Sequence, residues 1–98
     1  MAVEQEACAL CGRIFGRRRE RHHLVPRSQG GREIVQLHPI CHRKIHSTLT
    51  ERELRDGFDT IARLRAHPDI ARFLRWIAGK PPDFHSRTAT SRRLAARR

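Results

Sequence analysis

The chain has 98 residues, which leaves room for one domain and no second core. It carries 21 Lys plus Arg against 10 Asp plus Glu, a formal net charge of +11, together with 7 histidines and 3 cysteines. No stretch nears the roughly 18 apolar residues of a membrane span, the acidic Met1-Ala2-Val3-Glu4-Gln5-Glu6 has no apolar signal region, and an odd cysteine count excludes a fully paired disulfide scaffold.

Cys8-Ala9-Leu10-Cys11-Gly12 reads as a tight knuckle closed by glycine. Residues 20–26 are predicted as a strand that Pro26 ends. Ser28-Gln29-Gly30-Gly31 is a turn, since paired glycines permit positive φ. The β-branched run Ile34-Val35-Gln36-Leu37 is a second strand, so the two form an antiparallel hairpin. Pro39 breaks it, and a short helix from near Cys41 carries His42 and His46. Thr50-Glu51-Arg52-Glu53 is a capping box that opens a helix to about Ala66, with Leu54, Phe58, Ile61 and Ala62 on one face. Gly57 weakens that helix by about 1 kcal/mol relative to alanine. Pro68 suits the first position of a last helix, where Ile70, Phe73, Leu74 and Ile77 repeat at i, i+3, i+4, i+7. Gly79 and Pro81-Pro82 end it, and Trp76 is read as core or rim, with base stacking as the alternative. The prediction is a single domain over residues 1–79, with a core at about 8–50 and a helical extension at about 51–79. Residues 80–98 form a basic tail expected to be disordered.

The charge is uneven. Residues 12–32 carry a net +6 and residues 80–98 a net +5, while residues 33–79 carry only +2. Such clustering predicts a polyanionic partner, nucleic acid being the commonest. In a chain without an export signal, thiols bind metal or stay reduced, which predicts a cytoplasmic setting.

A domain this small is often held by a metal. Cys8 and Cys11, at the spacing that lets one knuckle grip one ion, are matched by His38-Pro39-Ile40-Cys41. Together they make a Cys3His set whose four protein ligands close a tetrahedron, as in structural zinc sites. His38 is the member that water or another residue replaces most readily. A second set involves His22, His23, His42 and His46. His42 and His46, four apart on a helix, share a face. With His22 they would hold a divalent ion and leave positions open, the mark of a catalytic metal. Neighbours on a strand point to opposite faces, so His23 remains a free imidazole with an intrinsic pKa near 6.5, suited to a general base.

The runs His22-His23-Leu24-Val25-Pro26-Arg27-Ser28-Gln29-Gly30-Gly31 and Leu37-His38-Pro39-Ile40-Cys41-His42-Arg43-Lys44-Ile45-His46 resemble the HNH endonucleases of the ββα-metal (His-Me finger) group, including the nuclease domains of DNase colicins. The outlying Cys/His pairs resemble its zinc-knuckle subset, with H-x2-C where that subset has C-x2-C. The resemblance covers about residues 8–50. It implies an α+β fold: a ββα-metal core with a structural zinc knuckle, here followed by two C-terminal helices. It also implies metal-dependent hydrolysis of DNA phosphodiester bonds, leaving 5′ phosphate and 3′ hydroxyl, with double-stranded DNA as the expected partner. By position, His22, His42 and His46 would hold the catalytic ion (Mg2+, Mn2+, Ni2+ or Zn2+), and His23 would activate water. Arg17, Arg18, Arg19, Arg21, Arg27, Arg32, Arg43 and Lys44 would hold DNA phosphates.

One position departs from the family. Its central Asn lies nine residues before the His of the Cys-His pair, where it ties the hairpin loop together and helps orient the base. Glu33 stands there, and the chain has no Asn at all. Glu33 is therefore placed with His23 in the catalytic set, able to accept a backbone N–H but not to donate as an amide does. That substitution leaves a second function open, a non-catalytic zinc-finger-like nucleic-acid-binding module.

Overall fold

A computed structural model describes residues 6–87. They form an α+β arrangement: a two-stranded antiparallel sheet followed by four helices. Strand β1 (Glu20–His23) pairs with β2 (Ile34–Leu37) in the register Glu20 to Leu37 and His23 to Ile34. The helices are α1 (Pro39–Thr48), α2 (Glu51–Asp56), α3 (Ile61–Ala66) and α4 (Pro68–Ile77).

β1 is shorter than the predicted strand 20–26. The Leu24 amide still donates to the Glu33 carbonyl at 3.1 Å, but Pro26 then leads into a 3-10 turn, Arg27–Gln29. Pro26 has no N–H to continue a ladder. The turn closes through Gln29 N–H and Gly31 N–H to the Pro26 carbonyl, at 2.8 and 3.1 Å. Gly30 sits at φ +88°, in the left-handed region. At Gly31 a Cβ would lie 1.6 Å from the Val25 carbonyl oxygen, so only glycine lets the two backbones approach.

Thr50 caps α2 as its sequence predicts: its hydroxyl accepts from Glu53 N–H at 3.2 Å, and Glu53 Oε1 accepts from Thr50 N–H at 3.0 Å. The single helix expected to about Ala66 is instead two. Gly57 ends α2, and the Thr60 hydroxyl takes the Arg63 amide at 3.1 Å to start α3. A weak helix former followed by a strong N-cap gives those amides a side-chain partner in place of a helical carbonyl. The break resets the helical phase. Leu54 and Leu64 are buried, Phe58 and Ile61 are partly buried, and Ala62 faces solvent. His67 joins α3 to α4, its Nδ1 accepting the Asp69 amide at 3.1 Å just ahead of Pro68.

The core gathers Leu37, Ile40, Ile45 and Leu49 with Leu54, Leu64, Ile70, Phe73 and Ile77, and the knuckle adds Cys8 and Leu10. α1 packs on both α4 and β1. The knuckle is stitched to β2 by Ala9 N–H on the Gln36 carbonyl at 3.1 Å. Residues 80–87 do not behave as the start of a disordered tail. Arg13 Nη1 donates to the carbonyls of Lys80 and Pro81 at 3.0 and 2.7 Å, and Asp83 Oδ1 accepts Arg17 N–H at 2.6 Å. Phe84 packs edge-on to Trp76 and against the core. The rest of the expected tail, residues 88–98, lies outside the described residues. Among the described residues, no helix is long and apolar enough to cross a membrane.

Candidate metal centres

The knuckle is a turn in which Gly12, at φ +78°, returns its amide to the Cys8 carbonyl at 2.9 Å. That turn presents Cys8 and Cys11 toward the start of α1, where His38 is the N-cap and Cys41 follows one turn later. One ligand atom from each of Cys8, Cys11, His38 and Cys41 lies within 4.8 Å of the others, close enough to hold a metal ion. Cys8, His38 and Cys41 are buried and Cys11 is half-buried. His38 N–H approaches Cys8 Sγ at 3.4 Å, and His38 Nδ1 lies 3.4 Å from Cys11 Sγ. His38 Nε2 is 3.0 Å from the Ile14 carbonyl, so this nitrogen carries the proton and Nδ1 keeps its lone pair. A backbone partner on the far nitrogen is the usual way a metal-binding imidazole is oriented.

The close thiols shift one another. Cys41 is pushed up, first by its contact with Cys11 and then by Cys8. Cys8 is also pushed up, chiefly by Cys11. Cys11 is pushed down, its thiolate accepting from Cys41 and Cys8. Three sulfurs at this separation share protons so that one ionises, and only a cation lets all three do so. All three are free of disulfides.

The second centre lies where β1 faces α1. His22, His42 and His46 each place a ring nitrogen within 4.8 Å of the others, and every pair of rings meets edge-on at 4.8 to 5.3 Å. His42 Nε2 and His46 Nε2 are 3.1 Å apart. His22 is 1 % exposed, and neither of its ring nitrogens has a hydrogen-bond partner among the described residues. A buried imidazole with nothing to bond is costly, by about 1–3 kcal/mol for each such group. Burial first, then His46, His42 and His23, hold its pKa down to about 3, so it is neutral near pH 7 and free to ligate. Desolvation and His42 lower His46 as well, partly opposed by Glu51. The donor set therefore fits a cation.

Two carboxylates of this site are absent from the sequence-based assignment. Glu20 Oε1 lies 3.0 Å from His42 Nδ1. A carboxylate only accepts, so Nδ1 holds the proton and Nε2 faces the other histidines. The signal was present: Glu20 is two residues before His22 on a strand and so shares its face. Glu51, whose charge reaches His46, also accepts the Ser28 hydroxyl at 2.5 Å. It lies in a different element from the loop it holds, and no local pattern marks it.

His23 stands beside this trio on the alternate face of β1, half-buried and opposite Ile34. Glu33 is exposed. Its carbonyl takes the Leu24 amide, and the residue borders a hollow with Gly30, Gly31 and Asp59. The loop is tied from α2, through Ser28 to Glu51 and through Arg55 Nη1 to Gln29 Oε1 at 2.6 Å. Arg17 and Arg18 line a groove of about 360 Å³ with Pro39 and His85. Arg19, Arg21, Arg27, Arg32 and Arg43 are exposed. Lys44 is set apart from them, on the side of α1 toward α4.

No family model and no solved structure matches the chain. It is 40% identical over 78 residues to the uncharacterized protein YisB of Bacillus subtilis (strain 168), covering 78% of this chain and 77% of that protein. At that identity and coverage, the chain belongs to the same family as YisB.

Proposed function

We propose that this protein is a metal-dependent endonuclease of the HNH type that hydrolyses DNA phosphodiester bonds, built on a ββα-metal core with zinc in the Cys3His set. The observation that carries the reading is His22, buried with both ring nitrogens unpartnered beside His42 and His46. Such a cluster is expensive to fold unless a cation completes it.

When bound by His22, His42 and His46, a divalent ion supplies Lewis-acid stabilisation to the phosphate and the leaving 3′ oxygen. The protein's own part is to hold three imidazoles in place, His42 oriented by Glu20. His23 accepts a proton from the attacking water as its oxygen bonds phosphorus. The P–O3′ bond breaks, and the 3′ oxygen leaves as a hydroxyl once solvent protonates it. The exposed arginines of residues 17–32 hold the flanking phosphates.

The test is plasmid cleavage with Mg2+, Mn2+ or Ni2+. His23→Ala should lower the rate by roughly 10²- to 10⁴-fold with fold and zinc content unchanged. Undiminished cutting by that variant would sink the base assignment. A non-catalytic zinc-finger-like binder is favoured by one observation, an exposed Glu33 where the family has Asn, in a chain without Asn. Metal analysis separates the two readings: two ions per chain supports the nuclease, and one supports the binder.

A further inference from the structure

A groove of about 290 Å³ lies between α1, α4 and the residues that follow α4. Lys44 lines it from α1, two residues from both His42 and His46 and therefore about 200° round the helix from each. The groove and the histidine centre thus occupy opposite sides of α1. Its floor is apolar, built by Ile40, Phe73 and Trp76, and its rim carries Lys44, Arg72 and Arg87. Its one carboxylate, Asp69, is already 3.6 Å from Arg72. Trp76 is 48% exposed, although Phe73 and Phe84 pack beside it at 5.9 and 5.5 Å. Lys80 Nζ stands 5.3 Å from the Trp76 ring.

We propose that this groove binds a single-stranded stretch of nucleic acid, with a base stacked on Trp76 and the adjoining phosphates on Lys44, Arg72 and Arg87. A half-exposed indole, with Lys80 Nζ over its ring, beside a rim of cations matches the alternation of base and phosphate along one strand. A duplex keeps its bases stacked on one another and cannot offer one to the floor. An acidic peptide would satisfy the rim but leave the indole face without a planar partner. The site needs no metal chemistry, and it places a second contact for nucleic acid away from the histidines.

Trp76 is the only tryptophan in the chain, so its emission reports the groove directly. The 98-residue chain carrying His23→Ala, chosen to spare the substrate, would be titrated with oligothymidylate. Indole emission and the anisotropy of a labelled strand would be followed together. Saturable quenching that tracks the anisotropy is expected. Trp76→Ala should weaken binding roughly 5- to 100-fold, while Trp76→Phe retains most of it. Arg72→Gln should weaken it and reduce the salt slope by about 0.7. Should Trp76→Ala fail to fold, Arg72→Gln and Lys44→Gln decide by the same salt slope. Binding with unchanged emission and unchanged affinity in Trp76→Ala would overturn the proposal. So would a polyglutamate peptide that quenches as strongly as the oligonucleotide. The two readings fail separately: cleavage can be absent with quenching intact, and quenching absent with cleavage intact.

Discussion

Buried without a partner, His22 is neutral near pH 7 because burial and the adjacent imidazoles hold its pKa at about 3. In the unfolded chain it titrates near 6.5. Between those values the unfolded chain binds the extra proton, so stability rises with pH across the window. The contribution is complete above about 6.5 and is lost as pH falls toward 3. His46 shifts in the same direction. The denaturation midpoint should therefore drop between pH 7.5 and pH 5, with a smaller drop in His22→Leu. A midpoint unchanged over that range would mean the fold tolerates a charged His22. Glu20 acts at the same scale through its 3.0 Å contact with His42. Glu20→Ala should lower Mn2+ or Ni2+ affinity roughly 10- to 100-fold by calorimetry, with Glu20→Gln between it and wild type. Equal affinity in all three would remove Glu20 from the centre.

The elements hold these residues in place by a few specific devices. The loop between β1 and β2 depends on two adjacent glycines for different reasons. Gly30 has a positive φ and open space, so Gly30→Ala should cost about 1–2 kcal/mol. Gly31 has a carbonyl where a Cβ would go, so Gly31→Ala must move the backbone and should cost more, about 2–4 kcal/mol. Urea melts of the two variants would rank them, and the reverse order would mean the loop relaxes freely. The same loop is clamped from α2 by Glu51 and Arg55. The Gly57–Thr60 break lets the chain turn so that Leu54 and Leu64 both reach the core.

At the scale of the molecule, a chain of 98 residues has little core to spare, and the knuckle is part of it. Cys8 and Leu10 are buried in the same cluster as Ile77. The knuckle loop is also tied to residues 80–83 through Arg13 and Asp83. A cation held by Cys8, Cys11, His38 and Cys41 would relieve the crowding of three sulfurs at this junction. A strong chelator, or Cys11→Ala, should therefore unfold the N-terminal half, seen as loss of ellipticity and of a cooperative melt. Full helicity and an unchanged transition after metal removal would rule out a structural ion.

Much of this is legible in the sequence, for a common reason. The C-x2-C and H-x2-C pairs, the i, i+4 histidines, the Thr50 capping box and the Pro68 helix start are set by covalent spacing and the periods of helix and strand. Each involves residues a turn or less apart, so the sequence alone determined them. Other features were decided only by the tertiary structure. Among these are the clamp from α2 on Ser28 and Gln29, the strap of residues 80–87 on Arg13, and the placing of Lys44 away from the histidines. These join residues 20 to 70 positions apart, or depend on which helix face a neighbour covers, and no local period encodes that. Glu20 stands between the two cases: its face followed from strand alternation, but its partner His42 came only from the packing of α1 on β1.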